Sequence, residues 1–175
     1  MTLIVEDGTA KTDSEAYASV ADFKTYCDNR GYTYSSDDTL LEQYARLATG
    51  YLTQKYTLRW KGYRVSSLQA LDWPRAWAER PGLLGSYGPY PVYYVPTAVP
   101  QEVQYAMFEL MRRVATGDLT PDLERLTLRE RVEGAVEIEY NPNSLPVTIF
   151  RTVENILSPT LKANGGAGMM RLARV

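Results

Sequence analysis

The strongest constraint on the fold is the stretch PQEVQYAMFELMRRVATGD, residues 100–118. Its apolar residues Val103, Met107, Leu110 and Val114 recur at the spacing of one face of an α-helix. Pro100 suits the first turn, where a missing N–H is harmless, and Gly117 is a typical C-terminal stop. The pattern predicts an amphipathic helix, and such a helix needs other elements to cover its apolar face.

Two further helices are predicted in the first third of the chain. Ser19 with Asp22 resembles a capping box, which marks a helix start. The N-cap of the next helix is either Asp37 or Asp38, and the sequence does not distinguish them. The apolar stripe of that second helix runs through Leu40, Tyr44, Leu47 and Tyr51 and is widened by Leu41, Ala48 and Leu52, so we expect it to be mostly buried. Gly50 lies within the helix and costs about 1 kcal/mol relative to alanine, which suggests a close helix contact there.

The remaining sequence predicts less regular structure. The stretch 61–99 is rich in Pro, Gly and Tyr without helical or alternating periodicity, so we expect a long loop. RERVEGAVEIEY predicts a β-hairpin over about 129–140, and a short fourth helix limited by Pro159 follows. LIVEDGTA near the start predicts a strand or extended arm that ends at the Asp7-Gly8 turn. The predicted fold class is mainly α: a small bundle of about four helices with one β-hairpin and a long Pro/Tyr-rich loop, in one domain over 1–162.

A separate C-terminal arm is predicted over 163–175. Gly165, Gly166 and Gly168 form a hinge, and a short apolar and basic segment follows it. Disordered termini are usually polar, so we interpret this segment as a partner-binding arm, with an ordinary free terminus as the alternative. The arm residues are Met169, Met170, Arg171, Leu172, Ala173, Arg174 and Val175.

Composition excludes several classes of function. The formal net charge of -2 argues against a protein that holds duplex DNA by neutralising many phosphates. The chain has no histidine and a single cysteine, Cys27, which excludes internal disulfides and the usual Cys/His zinc sites. No phosphate-binding glycine loop or nucleophile elbow is present. We therefore expect no enzyme activity, no catalytic or metal-binding residues and no cofactor, with Cys27 as a small buried apolar residue.

The expected location is a reducing cytosol. No apolar run is long enough to span a bilayer, and the first residues lack the pattern of a signal peptide.

Four separated motifs together resemble one family. They are VEDGT followed by SEAYASVADFKTY, then QALDWPR, VPQEVQYAMFELMRR and RVEGAVEIEY. In order and spacing they are similar to the small head-tail connector, or adaptor, proteins of tailed bacteriophages. Relatives of those proteins are often labelled DnaT-like single-stranded DNA-binding proteins.

The resemblance implies a structural role in the virion. Such adaptors form a ring of copies, commonly twelve, that docks on the portal protein, extends the DNA channel and gives tail or nozzle proteins a platform. Genomic DNA passes through the lumen without sequence-specific binding, and no membrane is involved. The implied location is the neck between capsid and tail, after assembly in the host cytoplasm.

The long loop and the hairpin supply the remaining candidate site residues. Within an adaptor ring, the candidate inter-subunit contacts are Arg75, Tyr87, Tyr90, Tyr93 and Tyr94. The tyrosines could instead stack on bases, but no Lys or Arg occurs between Arg80 and Gln101, which favours a protein interface or a cover for the core. Leu68, Leu71 and Trp73 are expected to pin the start of the loop to the helices. Glu137 and Glu139 are candidate acids facing the lumen, with a solvated strand edge as the alternative.

The sequence thus predicts a head-to-tail adaptor. The alternative is a single-stranded DNA-binding replication protein of the DnaT-like kind, and a third hypothesis is a capsid-associated regulator or chaperone.

Overall fold

A computed structural model describes residues 2–84, 90–121, 129–132, 136–139 and 149–162. Within these ranges the chain forms four α-helices and three two-stranded antiparallel sheets, so the predicted class, mainly α with a small hairpin, is confirmed. The helices are α1 (Val20–Asp28), α2 (Asp38–Tyr56), α3 (Gln101–Val114) and α4 (Arg151–Leu157), which the 3-10 helix Ser158–Thr160 follows. The strands are β1 (Tyr63–Arg64), β2 (Arg75–Ala76), β3 (Glu79–Leu84), β4 (Pro91–Tyr93), β5 (Arg129–Val132) and β6 (Val136–Glu139). No helix in the described part of the chain is long and apolar enough to cross a membrane.

The predicted helix starts correspond to observed caps. The backbone N–H of Asp22 donates to Ser19 Oγ at 3.1 Å, and the N–H of Ser19 donates back to the Asp22 carboxylate at 3.2 Å, which completes a capping box. Asp37 caps α2 by accepting from the N–H of Thr39 at 2.9 Å, which decides between the two candidates. Pro100 stands at the N-cap of α3, one residue earlier than predicted.

The hydrophobic core lies around α3, which packs against α2 and α4, while α1 packs against both α2 and α3. The predicted stripe on α3 is confirmed, because Val103, Met107 and Leu110 are fully buried. On α2 the predicted wide stripe is buried at Leu41, Ala48, Tyr51 and Leu52, together with Ala45. Leu47 stays 58% exposed.

Gly50 does not mark a close helix contact, so that prediction is wrong. A Cβ atom at this position would meet no heavy atom within 4 Å. The helix continues through Gly50, which instead lines an open groove of about 560 Å³ between α2 and the turn after α3. The glycine leaves space at the surface of α2 and does not admit a neighbouring backbone.

The stretch 61–99 is more ordered than the predicted loop. It contains two antiparallel pairs, β1 with β2 and β3 with β4, in which Tyr63 lies opposite Ala76 and Glu79 opposite Tyr93. Strands this short show no clear alternation in the sequence, because their formation depends on pairing and packing with segments that are distant in the chain. The loop start is pinned as predicted by Trp73, which is fully buried between the rings of Trp60 and Tyr94 at centroid distances of 5.9 and 5.8 Å.

Leu71 is also buried, in line with the prediction, whereas Leu68 is 73% exposed and that part of the prediction is wrong.

The last described residues return to the end of α2. The N–H of Lys61 donates to the carbonyl of Thr160 at 3.0 Å, and the N–H of Lys162 donates to the carbonyl of Arg59 at 2.8 Å. Trp60 and Leu161 thereby form an antiparallel bridge. This return fixes the entry to β1.

The N-terminal segment folds around one buried carboxylate. Glu6 is 3% exposed and accepts from the backbone N–H groups of Gly8, Ala10 and Lys11 at 2.9–3.0 Å. Val5 bridges to Ala16 in parallel, so an extended segment before a turn is confirmed. The predicted turn brings Gly8, at φ +100°, against residue 97.

The predicted β-hairpin is present as β5 and β6. Its register places Arg131 opposite Glu137 and Arg129 opposite Glu139. The predicted arm, residues 163–175, lies outside the described residues.

Candidate functional site

Three large aromatic side chains lie exposed on the two β-ribbons between α2 and α3. Tyr63 is 74% exposed, Trp77 is 70% exposed and Tyr93 is 41% exposed. We call these three residues the aromatic edge. Clustered exposed apolar side chains usually mark a surface that contacts another molecule.

Trp77 is held in an unusual position. Its φ of 58° lies in the left-handed region, which a bulky residue rarely adopts and which costs roughly 1–3 kcal/mol. Its indole meets the ring of Tyr93 edge-on, with centroids 5.5 Å apart and planes at 82°. The two rings therefore form a fixed pair at the surface.

A glycine and a buried arginine position Trp77. A Cβ on Gly62 would lie 2.3 Å from the Ala76 carbonyl oxygen, so only glycine lets the two ribbon strands approach this closely. Arg75 donates to the carbonyls of Lys61 and Gly62, each at 2.7 Å, and to that of Asp72 at 3.2 Å. Burial lowers the pKa of the Arg75 guanidinium.

Arg75 is therefore an internal clamp. It is only 7% exposed, and its donors are used within its own chain. The predicted subunit contact of Arg75 stays a prediction, and in this chain the guanidinium is used internally.

Asp72 supports the same ribbon from below. Its buried carboxylate accepts from Thr57 Oγ1 at 2.7 Å, from Trp60 Nε1 at 3.1 Å and from the Arg64 guanidinium at 2.8 Å. These bonds join β1 to the C-terminal end of α2. The aromatic edge thus stands on a rigid base.

Two cationic side chains lie beside the aromatic edge. Arg80 is exposed, and its Cζ atom lies 5.6 Å from the centroid of the Tyr94 ring. Lys61 Nζ donates to the carbonyls of Pro159 at 2.9 Å and Glu79 at 3.4 Å. Within the described residues neither side chain forms an ion pair with a carboxylate.

A groove of about 250 Å³ runs from this position to the start of α3. Arg80, Tyr93 and Gln101 are among its lining residues, together with Tyr94 and Glu102. Tyr94 is 7% exposed and donates to the Glu102 carboxylate at 3.2 Å. Burial, with help from Glu102, raises the pKa of Tyr94 to about 12, so the phenol keeps its proton.

The structure separates the predicted tyrosines. Tyr90 and Tyr93 are exposed, whereas Tyr94 is buried against Trp73. Tyr87 lies outside the described residues. Glu137 and Glu139 lie in β6, and the structure describes only their backbone positions.

Sequence reasoning missed Trp77, Tyr63 and the cations near them. No Lys or Arg lies between Arg80 and Gln101 in the sequence, whereas the fold brings Lys61 from before β1 to the Glu79 carbonyl. The one available signal was an aromatic residue between two arginines in RAWAER, residues 75–80.

The described residues offer contact chemistry at this site. Flat aromatic faces and two cations suit stacking and electrostatic attraction. No group of three or more Cys, His, Asp or Glu residues placed to hold a metal ion occurs among the described residues. Cys27 is fully buried as predicted, and burial raises the pKa of its thiol.

Comparison with known protein families identifies a family for this chain. The family model described as "Putative DnaT-like ssDNA binding protein" matches residues 1–175, the whole chain. The chain belongs to this family. No curated protein matches it, and no solved structure matches it.

Membership agrees with the DnaT-like part of the resemblance. The head-tail connector part of that resemblance has no counterpart in these comparisons.

Proposed function

We propose that this protein binds single-stranded DNA through the aromatic edge. The observation that carries the proposal is the exposed Trp77–Tyr93 pair, which is fixed edge-to-face at 5.5 Å. An indole held this way offers a flat face to an unpaired base. Each base stacked on an aromatic side chain contributes about 1–3 kcal/mol in single-strand binders.

The backbone conformation of Trp77 favours a ligand role. A strained conformation that holds a tryptophan 70% exposed brings no burial of apolar area in return. Strain of this kind concentrates at binding sites. A ligand that covers the indole supplies the missing burial.

The charges near the site predict weak salt dependence. Arg80 can contact one phosphate, and the third N–H of Lys61, whose ammonium already donates to two carbonyls, can contact a second, while the exposed Glu79 limits further attraction. Each phosphate contact on a single strand contributes a slope of about 0.7 in log K against log salt, so two contacts give about 1.4. Binding dominated by stacking fits a chain with a net charge of -2.

The protein carries its own reporter for the test. Trp60 and Trp73 are fully buried, so Trp77 is the tryptophan that a bound strand can reach. Titration with oligo-dT should quench part of the tryptophan fluorescence, and W77F should abolish this change. A labelled strand followed by anisotropy gives the affinity independently.

Matched variants test the assignment. W77A should weaken oligo-dT binding by about 5- to 150-fold, which corresponds to 1–3 kcal/mol of stacking. L47A removes an exposed apolar side chain from α2, outside the aromatic edge, and should leave the affinity within about twofold. Equal binding by W77A and the wild type, or no binding by the wild type, contradicts the proposal.

A second candidate function is the head-to-tail adaptor implied by the family resemblance. The observation that favours it is the internal pairing of many cations in the described residues, which leaves few for DNA. Lys55 and Arg59 face Glu154, Arg112 and Arg113 face Glu109, Arg64 faces Asp72, and Arg46 faces Glu15. On this hypothesis the aromatic edge packs against the neighbouring copy in a ring.

The adaptor hypothesis makes different predictions. Full-length protein should co-purify with portal rings, and a version ending at Ala163 should lose that binding if the arm makes the contact. Sedimentation should show ring formation that W77A weakens. Binding to oligo-dT with no binding to portal rings would reject the adaptor.

A further inference from the structure

A second cleft lies between α1 and α3. It has a volume of about 180 Å³, and its lining includes Tyr26, Asn29, Arg30, Gln104 and Tyr105. These side chains combine one guanidinium, two amides and two phenol rings, and the carboxylate of Asp22, which accepts hydrogen bonds from Ser19, also lines the cleft. This combination can stack on a nucleobase and hydrogen-bond its edge.

Arg30 is the central group of this cleft. Its Cζ atom lies 3.8 Å from the centroid of the Tyr26 ring and 5.0 Å from that of Tyr105. The residue is exposed, and within the described residues it forms no ion pair with a carboxylate. Its guanidinium donates from an Nη atom to the Tyr26 carbonyl at 3.4 Å. A guanidinium that lies over aromatic rings and is open to solvent can stack on a base and also carries charge.

The first turns of α3 connect this cleft to the aromatic edge. Gln101 lines the groove beside Arg80 and Tyr93, and its Nε2 donates to the Tyr105 hydroxyl at 2.6 Å. The two residues lie one helical turn apart, a rise of about 6 Å. A single strand that leaves the aromatic edge along α3 therefore meets Tyr105 and then Arg30.

We propose that the cleft between α1 and α3 is a second nucleotide subsite, in which a base stacks on Arg30 and the amides of Asn29 and Gln104 contact its edge. The inference rests on the proposed single-strand binding. Amide groups donate and accept hydrogen bonds, so the subsite takes any base. Its consequence is that affinity rises with strand length until one strand spans the aromatic edge and the cleft.

The test is a series of oligo-dT strands of increasing length with wild type, R30K and Y105L. R30K keeps the charge and loses the planar stacking surface. It should bind the shortest strands as the wild type does and lose about fivefold or more on the long ones, the value of one stacked base. Y105L should show the same pattern as R30K, with normal binding of the shortest strands and weaker binding of the long ones. The thermal transitions of Y105L and R30K, compared with each other, report whether either variant is less well folded.

K24Q is the matched control. Lys24 lies on α1, outside the residues that line the cleft, and pairs with Asp38. Its removal takes one positive charge from the same helix and should leave the length dependence unchanged.

The outcomes separate this inference from the proposed function. If R30K and Y105L bind long strands as tightly as the wild type while W77A loses binding at every length, the subsite is refuted and single-strand binding stands. If the wild type binds no strand of any length, both are refuted.

Discussion

The buried carboxylate of Glu109 should be a main determinant of stability. Glu109 lies on α3 with 4% of its surface exposed. It accepts from the Tyr26 hydroxyl at 2.9 Å, from Arg112 at 3.1 Å and from Arg113 at 2.8 Å. The variant E109Q removes the charge and keeps the shape of the side chain.

The expected cost of E109Q follows from this geometry. Breaking a fully buried ion pair costs about 3–5 kcal/mol, because a charge is left without a partner. The side chains of Arg112 and Arg113 are 31% and 27% exposed, so water recovers part of their solvation. The loss should therefore be about 2 kcal/mol, close to one strong hydrogen bond to a charged group. That is about a 30-fold change in the folding equilibrium and a fall of about 4–8 °C in Tm.

Urea unfolding measures this loss directly. E42Q is the matched control, because Glu42 faces Arg46 at 3.7 Å near the surface and such pairs contribute about 0–1 kcal/mol. A double-mutant cycle with Y26F should give a coupling above about 0.5 kcal/mol, since both changes act on one network. If E109Q costs no more than E42Q, the reasoning about the buried carboxylate is refuted.

Two further predictions concern stability. G50A should stabilise the protein by about 0.5–1 kcal/mol, since a Cβ there has open space. G62A should destabilise it by more than about 1 kcal/mol, because its Cβ would overlap the Ala76 carbonyl. Thermal unfolding measures both changes, and equal shifts in Tm contradict the prediction. Burial raises the pKa of Glu154, but hydrogen bonds from Arg59 and Tyr56 outweigh it and leave the pKa below its usual range. The resulting stabilisation is complete above the unfolded pKa of about 4.3 and is lost as the pH falls through the lower folded pKa. In urea titrations the variant E154Q should therefore lose less stability than the wild type over that pH range, and an equal loss contradicts the assignment.

The sequence predicted those features of the fold that depend on residues close together in the chain. The Ser19 capping box and the stripe on α3 depend on residues three or four positions apart, so the sequence pattern is sufficient to predict them. Gly50 shows the limit, because a glycine in a helix is equally consistent with a close contact and with open space. Only the neighbouring elements decide between them.

The aromatic edge could not be predicted for the same reason. The exposure of Trp77 depends on its positive φ, on Gly62 lying against residues 76–78 and on the internal hydrogen bonds of Arg75. The last two are contacts between segments that lie apart in the sequence, and no local sequence pattern indicates them. Exposure of an aromatic side chain is a property of the assembled ribbon.

The bridge between Trp60 and Leu161 has a consequence for synthesis. The backbone of residues 59–61 pairs with residues 160–162, a hundred positions later. On the ribosome, a nascent chain that has released α1, α2 and α3 still lacks this closure, so the backbone of residues 59–61 is left without its partners. Closure of the segment between α2 and β1 therefore waits for the last part of translation, and a stop codon shortly before residue 160 should give a chain that proteases in the cell degrade.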